Sequence, residues 1–438
     1  MRRQASFFQP AASVDRRGAR FYNKSMDAAT SKLRRVLILT ADAGFGHRSA
    51  ANAIAAALKD LYGNACIVEV ANPMSDKRVP AMLRNAQGDY DKLVTTAPKL
   101  FSFGYELSDR MAPAAVVDSA LTVLLFEALY RLMRRMRPDV IVTTYPLYQA
   151  PLMGVSQIRR RHVPLITVIT DLTQLHALWF HNAADLCLVP TVQARDLAIK
   201  HGLAPGKVQI TGIPVNPAIV KHAKDRETLR RELGWQTDLT TALFVGSKRV
   251  TSLQKVLRLL NHAMLPLQMV AVAGGDDLLY ADLQAIDWHG PAHVYNYVEN
   301  MPAIMHAADC LLCKPGGLIV SEALAVGLPM IFIDALPAHE LANAEYVIRN
   351  GAGTWAREPV AALEVLYHWL DAGGALMADH AAQARRLGRP RAAYDVAERA
   401  WALAPLGERP TRGQYYATER SRLVTWLRRH NIEWQEEA

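Results

Sequence analysis

Cysteine is scarce: the chain has four in 438 residues, too few for a disulfide framework, and only Cys310 and Cys313 form a C-x-x-C pair. No second pair exists to complete a zinc site. The pair lies within Ala308-Asp309-Cys310-Leu311-Leu312-Cys313, which reads as a buried strand, so a packing role is expected and a reducing compartment fits. Long apolar runs are also missing. There is no N-terminal segment of secretory type and no run of about 18 uninterrupted apolar residues, so the expectation is neither a signal peptide nor a spanning helix. Any membrane contact would be peripheral. The body of the chain lacks a basic excess as well. The net charge is +9, but Arg2, Arg3, Arg16, Arg17, Arg20, Lys24, Lys32, Arg34 and Arg35, against Asp15 and Asp27, place +7 of it before residue 36. A nearly neutral body argues against a nucleic-acid binder, whose folded domain carries a basic face. The tail suits contact with anionic lipid, or a solvated leader.

What is present is ordinary globular composition, with 51% hydrophobic and 21% charged residues. The length suits two or three domains. Arg35 to Ala41 is an apolar run that ends at glycines and is followed by a helical stretch from about His47 to Leu61, the pattern of a buried parallel strand, loop and helix. Further strands are expected at Cys66 to Val70, Val140 to Thr144, Leu165 to Thr170 and Leu186 to Val189. Turn formers cluster at Gly212-Ile213-Pro214-Val215-Asn216-Pro217, and a charged helix is expected from Lys221 to Leu233. A second series follows at Thr241 to Val245, Met269 to Ala273, Val294 to Tyr297, Cys310 to Cys313 and Pro329 to Ile333, with helices from about Ala361 and a last one from Thr418 to Arg429. This is the rhythm of two doubly wound α/β domains with a cleft between them. The boundaries expected are a basic flexible tail over 1–34, a first domain over 35–215, a second over 216–395 and a helical extension over 396–438. The stretch from Pro73 to Arg137 is too long for a simple crossover. It carries Tyr90, Phe101, Phe103 and Tyr105, and then apolar residues beside Arg131, Arg134, Arg135 and Arg137. It could lie on a membrane surface or simply pack on the sheet.

Two glycine turns are placed to carry chemistry. Gly44-Phe45-Gly46-His47 follows the first strand, where glycines permit close approach of a ligand and a helix N-terminus presents free N–H groups. It is not a nicotinamide fingerprint, because Ser49 stands at the third glycine position and the nearest acid, Glu69, lies inside a strand. A dehydrogenase is thereby disfavoured. His47 sits where a general base would be useful, and a capping or core histidine is the alternative. The second turn is Lys314-Pro315-Gly316-Gly317, running into Ser321-Glu322-Ala323. Paired glycines at a helix start can cradle a diphosphate, and a carboxylate one turn later can accept from two ribose hydroxyls. Pro337-Ala338-His339-Glu340-Leu341-Ala342-Asn343 follows the next strand and offers polar groups to a sugar.

Taken in order, Gly44-Phe45-Gly46-His47 with Ala50-Ala51 and Ala53-Ile54 behind it, Thr170-Asp171 through His176, Trp179 and His181, Gly212-Ile213-Pro214, Tyr297-Val298-Glu299-Asn300-Met301, and Lys314-Pro315-Gly316-Gly317 with Glu322-Ala323 resemble the monogalactosyldiacylglycerol synthase and processive diacylglycerol glucosyltransferase family, over roughly Val36 to Gly353. The resemblance implies a GT-B glycosyltransferase, similar to family 28 enzymes, with two Rossmann-like domains facing across a cleft. It is more distantly related to the lipid-linked enzyme that adds N-acetylglucosamine in peptidoglycan synthesis. The family takes a UDP-sugar in the second domain and a lipid acceptor such as diacylglycerol in the first, inverts the anomeric carbon, and binds no metal in the site. Carried onto this chain, His47 is the base and Asp171 orients it or shares that role. Val298 meets uracil through its backbone, Gly316 and Gly317 meet the diphosphate, and Glu322 meets the ribose. Glu340 and Asn343 hold hexose hydroxyls. Gly46, Gly246, Lys248, Arg249 and Ser321 complete the donor side. Phe101, Phe103, Tyr105, Arg131, Arg134 and Arg135 fall in the family's acceptor and membrane-docking segment.

The resemblance has two departures. The loop after the first strand of the second domain, Phe244-Val245-Gly246-Ser247-Lys248-Arg249-Val250, has one glycine where the family is glycine-rich, so charge from Lys248 or Arg249 would replace backbone contact with phosphate. The sugar motif reads Ala338-His339-Glu340 where the family has Gly-Gln before the acid. The implied activity is transfer of glucose or galactose to diacylglycerol or a related glycolipid. The alternatives are a UDP-N-acetylglucosamine-using enzyme of the same fold, either a lipid-linked transferase or a 2-epimerase, and a non-catalytic UDP-sugar-binding relative. The expected partners are an anionic membrane surface, the lipid acceptor and the UDP-sugar, with no nucleic acid. The expected location is cytoplasmic, peripheral on the inner face of the cell membrane.

Overall fold

The structure is a computed structural model that describes residues 33–42, 45–81, 84, 111–221, 225–246, 252–335 and 339–410. The basic tail, Phe101, Phe103, Tyr105, Lys248, Arg249 and the expected helix from Thr418 to Arg429 lie outside the described residues, as do the side chains of 111–120. The described chain is built on two parallel six-stranded sheets.

In the first sheet the strands are β1 (Arg34–Leu39), β2 (Cys66–Ala71), β3 (Val140–Thr143), β5 (Leu165–Val168), β6 (Leu186–Val189) and β7 (Val208–Ile210), in the order β2-β1-β3-β5-β6-β7, and β4 (Arg161–His162) lies outside it. Val36, Ile38, Val140, Val142, Ile166 and Val168 are fully buried, as both faces of a parallel sheet must be when helices cover them. One face is covered by helix Phe45–Tyr62, whose Ala50, Ala51, Ala53, Ile54, Ala57 and Leu58 recur at helical spacing and are buried, while Asn52 is exposed. The other face is covered by helices Met111–Met136 and Gln149–Ile158. Leu125 and Leu129 are wholly buried there, worth about 1.5–3 kcal/mol each relative to exposure.

The second sheet has β8 (Thr240–Val245), β9 (Leu267–Val272), β10 (Ala292–Tyr295), β11 (Cys310–Cys313), β12 (Met330–Phe332) and β13 (Gly353–Trp355), ordered β10-β9-β8-β11-β12-β13. Cys310 and Cys313 are buried, unoxidised strand residues of its core, and burial pushes both thiols well above their ordinary range. In each sheet the order reverses beside its first strand, between β1 and β3 and between β8 and β11. Such a switch point opens a crevice at the carboxyl ends of the strands. Gly46-His47 and the turn Lys314-Pro315-Gly316-Gly317 fall there.

Four described strands were not expected: β7, β13 and the two-residue strands Arg161–His162 and Arg409–Pro410, each too short for a pattern of its own. After helices Pro359–Leu370 and Ala375–Leu387 the chain returns to the first sheet. Helix Ala392–Leu403 buries Ala393, Val396, Ala397 and Ala400 against Val36, Ile38, Ile54 and Leu58. Trp401 is stacked on Tyr62 with centroids 3.9 Å apart, and the Arg34 guanidinium lies 4.0 Å from its ring. A two-residue strand, Arg409–Pro410, then pairs antiparallel with Arg161–His162.

Candidate active site

At the first switch point His47 lies in the first turn of the helix that follows β1. Its Nδ1 is 2.9 Å from the carbonyl oxygen of Thr144, just beyond β3, and 2.8 Å from Thr170 Oγ1, just beyond β5. A carbonyl can only accept, so Nδ1 carries the proton and Nε2 is the basic nitrogen. The tautomer a general base requires is thus set by main chain. The Thr144 hydroxyl donates to the His47 carbonyl at 3.0 Å, which ties the two loops a second time.

Tyr145 meets the His47 ring edge-on, with centroids 5.0 Å apart, and Trp179 lies 6.1 Å away at 45°. Burial pushes the Tyr145 phenol up to about 12, so it stays neutral beside the imidazole. Trp179 is held by the buried Gln149, whose Nε2 donates to the carbonyls of Leu178 and Trp179 and whose Oε1 accepts from Thr167. Thr144, Tyr145 and Gln149 were missed in the sequence. The available signal was the Thr143-Thr144-Tyr145-Pro146 turn at a strand end next to the first strand. His176 and His181 are buried turn residues, each accepting through Nδ1 from a main-chain N–H two residues on.

At the second switch point helix Gly317–Val326 begins immediately after β11. Its N-cap is Gly316, with no side-chain cap on the first-turn N–H groups. Helices Val192–Lys200, Arg226–Leu233 and Asp277–Gln284 are capped by Thr191, Asp225 and Asp276, whereas Leu253–Ala263, Pro359–Leu370, Ala375–Leu387 and Ala392–Leu403 also lack a side-chain cap. An uncapped helix start suits an anionic ligand. A Cβ on Gly316 would meet only Ile319 at 3.8 Å, whereas one on Gly317 would stand 2.5 Å from the Thr170 carbonyl oxygen and 3.6 Å from Asp171 Oδ1. Helix Gly317–Val326 and the loop beside His47 are therefore in contact, and that contact requires glycine at 317. Ser321 Oγ donates to the Gly317 carbonyl at 2.7 Å. Desolvation pushes the Glu322 carboxyl up to about 7. Lys314 is ion-paired with the buried Glu340. Asn343, wholly buried, accepts from Leu172 N at 3.2 Å and donates to the Pro315 carbonyl at 3.1 Å.

The structure thus brings His47, Gly317 and Asn343 against one loop, residues 170–173, which carries Asp171, while Gly316 adjoins Gly317, Glu340 is paired with Lys314, and Ser321 and Glu322 lie further along the helix. Gly46 leaves open space where a Cβ would stand. Val298 is partly buried against the core of the second sheet. Gly246 extends the β8 ladder to Val272, and a Cβ there would stand 2.7 and 2.6 Å from the side-chain ends of Leu253 and Leu279, which would have to shift to admit it. Arg131 and Arg135 stand elsewhere, paired with Glu127 and Glu69. With Arg78, Asn72 and Asp76 these two arginines line a cavity of about 470 Å³ beyond β2. Arg134 lies 6.0 Å over the Tyr130 ring. Among the described residues no group of three or more His, Cys, Asp or Glu converges on one point, and no helix is long and apolar enough to cross a membrane.

Comparison with known proteins places this arrangement. Residues 47–215 match the family model for monogalactosyldiacylglycerol (MGDG) synthase, and residues 241–386 match that of the glycosyltransferase family 28 C-terminal domain. The chain is 30% identical over 375 residues to a probable monogalactosyldiacylglycerol synthase, chloroplastic, of Glycine max, covering 83% of this chain and 70% of that protein. It is 28% identical over 377 residues to probable monogalactosyldiacylglycerol synthase 2, chloroplastic, of Oryza sativa subsp. japonica, covering 84% and 80%. In structure it is similar to the MurG of Acinetobacter baumannii, with a TM-score of 0.55, 15% identity and coverage of 84% and 99%. It is also similar to UDP-GlcNAc 2-epimerase from Neisseria meningitidis, with a TM-score of 0.56, 13% identity and coverage of 84% and 100%. At these identities the two structures show the fold, which is GT-B. One expectation is corrected. A cytoplasmic enzyme on the inner face of the cell membrane is overturned by relatives that are chloroplastic. The sequence reading inferred the compartment from scarce cysteine, and cysteine scarcity reports redox state without distinguishing one reducing compartment from another.

Proposed function

We propose that this chain, which belongs to the monogalactosyldiacylglycerol synthase family and is a glycosyltransferase of GT-B fold, transfers a hexose from a UDP-sugar to the free hydroxyl of diacylglycerol at a membrane surface, with inversion at the anomeric carbon. The relatives' names favour galactose as the sugar. The observation that carries the reading is the placement of His47: its Nδ1 proton is committed to Thr144, and the loop that braces it touches the uncapped start of the donor-side helix at Gly317.

The chemistry follows from those groups. A lipid hydroxyl is a poor nucleophile near neutral pH, so Nε2 of His47 takes its proton as the oxygen attacks the anomeric carbon. The bond from that carbon to the diphosphate oxygen breaks on the opposite face, and UDP leaves with the electron pair. Asp171, beside the same loop, steadies the imidazolium that forms. The growing charge on the diphosphate meets the first-turn N–H groups after Gly316, with Lys314 within the same turn, so the proposed reaction needs no metal in the site. We assign the ribose hydroxyls to Glu322, the uracil edge to the Val298 backbone and a hexose hydroxyl to Glu340. We assign 35–215 to the acceptor half and 216–395 to the donor half, with the end of the latter entering helix Ala392–Leu403, which packs back on the first sheet. Val123 and Ile158, 77% and 67% exposed on the two helices that cover one face of the first sheet, supply apolar surface for peripheral docking.

The test is transfer of radiolabelled sugar from UDP-galactose, UDP-glucose and UDP-N-acetylglucosamine, in parallel, to diacylglycerol in mixed micelles containing EDTA. Labelled lipid from UDP-galactose, lost in His47→Ala at unchanged UDP binding, is the expected result. Labelled lipid from UDP-N-acetylglucosamine only, or none from any donor with UDP bound, overturns the reading.

A further inference from the structure

The loop after β5 is the one segment described here as bonded to both halves of the chemistry. On one side Thr170 Oγ1 stands 2.8 Å from His47 Nδ1. On the other, Leu172 N–H donates to Asn343 Oδ1 at 3.2 Å, and Thr173 Oγ1 donates to the Ala342 carbonyl at 3.3 Å. The Leu172 carbonyl is taken by the Thr191 hydroxyl at 2.7 Å, so both polar groups of that residue are fixed. Asn343 completes the connection by donating from Nδ2 to the carbonyl of Pro315, the residue ahead of Gly316 and Gly317. The amide has no exposed surface. Water cannot replace it, and one truncation breaks both bonds together.

A primary amide can accept from one main-chain segment through its oxygen and donate to another through its nitrogen. The acceptor end falls on the loop that carries Asp171, and the donor end falls on the turn that begins the diphosphate cradle. Gly317 sets how near these segments come, because any Cβ would stand 2.5 Å from the Thr170 carbonyl oxygen. The clip at 343 sets their relative orientation.

We propose that Asn343 is a positioning residue that clips the base-bracing loop 170–173 to the donor turn at Pro315, so that His47 and Asp171 are aligned with the seated donor through it. The kinetic part of this inference rests on the transferase reading above; its exchange part does not.

The experiment compares wild type, Asn343→Ala and Asn343→Asp by hydrogen exchange of peptides spanning 170–175, by UDP and UDP-galactose affinity, and by turnover. The Asp variant keeps the shape and the acceptor for Leu172 but sets an oxygen against the Pro315 carbonyl. The expected result is exchange of Leu172 at least tenfold faster in the Ala variant, with peptides from β1 and β8 unchanged. UDP and UDP-galactose affinities stay within threefold, and kcat falls at least tenfold at unchanged donor KM. Unchanged exchange at 170–175, or a selective loss of UDP-galactose affinity over UDP affinity, overturns the clip in favour of a sugar contact. If the Ala variant fails to fold, the Asp variant is read in the same assays. If wild type transfers no sugar, exchange still decides the clip, so its failure and failure of the transferase reading are separable.

Discussion

The two switch points solve different problems with different parts of the chain. At the first, between β1 and β3, the proposed chemistry depends on one side-chain atom, Nε2 of His47. The structure spends two loops, at Thr144 and Thr170, on fixing the tautomer and pose of that ring. At the second, between β8 and β11, it depends on several equivalent main-chain N–H groups. There the structure provides room: Gly316 leaves the helix start uncapped, and Lys314 is tied back to Glu340. Proton transfer tolerates one geometry, whereas a diphosphate can be met by any array of donors at a helix end. The base side is therefore over-determined by side-chain bonds, and the donor side by the absence of side chains.

That contrast can be broken most forcefully at His47. His47→Ala is expected to lower kcat by about 10²–10⁴ while leaving UDP affinity within twofold, measured by turnover and calorimetry. Retained turnover would move the base elsewhere. Gly317→Ala attacks the contact between the two points. Its methyl must displace the Thr170 carbonyl from 2.5 Å, and a shift of about 1 Å at that loop is expected to cost about 10²-fold in turnover with the fold intact by circular dichroism.

A third test asks which sheet owns the returning helix. Trp401→Ala removes a ring held between Tyr62 and Arg34, and is expected to destabilise the first sheet by about 2–4 kcal/mol in urea unfolding. If the second sheet unfolds with it in one transition, the two halves are a single cooperative unit.

The smallest effects are electrostatic and sit on the donor side. The Glu322 carboxyl titrates near 7 because burial penalises its charged form. A ribose diol needs the ionised form as acceptor, so UDP affinity should strengthen as pH rises from 6 to 8 and should lose that slope in Glu322→Gln. The sign for stability is opposite. A carboxyl raised above its ordinary value costs the unliganded fold progressively as pH rises from about 4.5 to about 7, so Glu322→Gln should raise the melting temperature at pH 8 and leave it unchanged near pH 4. A melting curve without that crossover would mean that the carboxylate is solvated.

Much of the donor side was legible in the sequence, because backbone function leaves a compositional mark. Paired glycines after an apolar strand, followed by Ser321 and Glu322 on the next helix turn, are visible without coordinates. The strands were legible for a similar reason: residues buried on both faces are apolar without interruption, as in Val36 to Leu39 and Cys310–Cys313. The base side was legible only as a candidate. Whether His47 is a cap, a core residue or a base turns on which nitrogen carries the proton, and Thr144 sets that from 97 residues away. Asn343 shows the same gap. The family resemblance implied a sugar contact for it, and only the folded chain shows that its two polar atoms are bonded to main chain at Leu172 and Pro315.

By itself, then, the sequence determined the number and kind of layers, the two glycine turns and the strand ends that carry them, because burial, helix period and glycine freedom are local properties of a chain. Tertiary structure decided which carbonyl meets His47, that Gly317 must admit Thr170, that Arg131 and Arg135 are paired with acids, and that the last helix returns to the first sheet. Each of these is a contact between segments far apart in the chain. Hydrogen bonds and close approaches of that kind depend on distance and direction in space, which residue spacing does not carry.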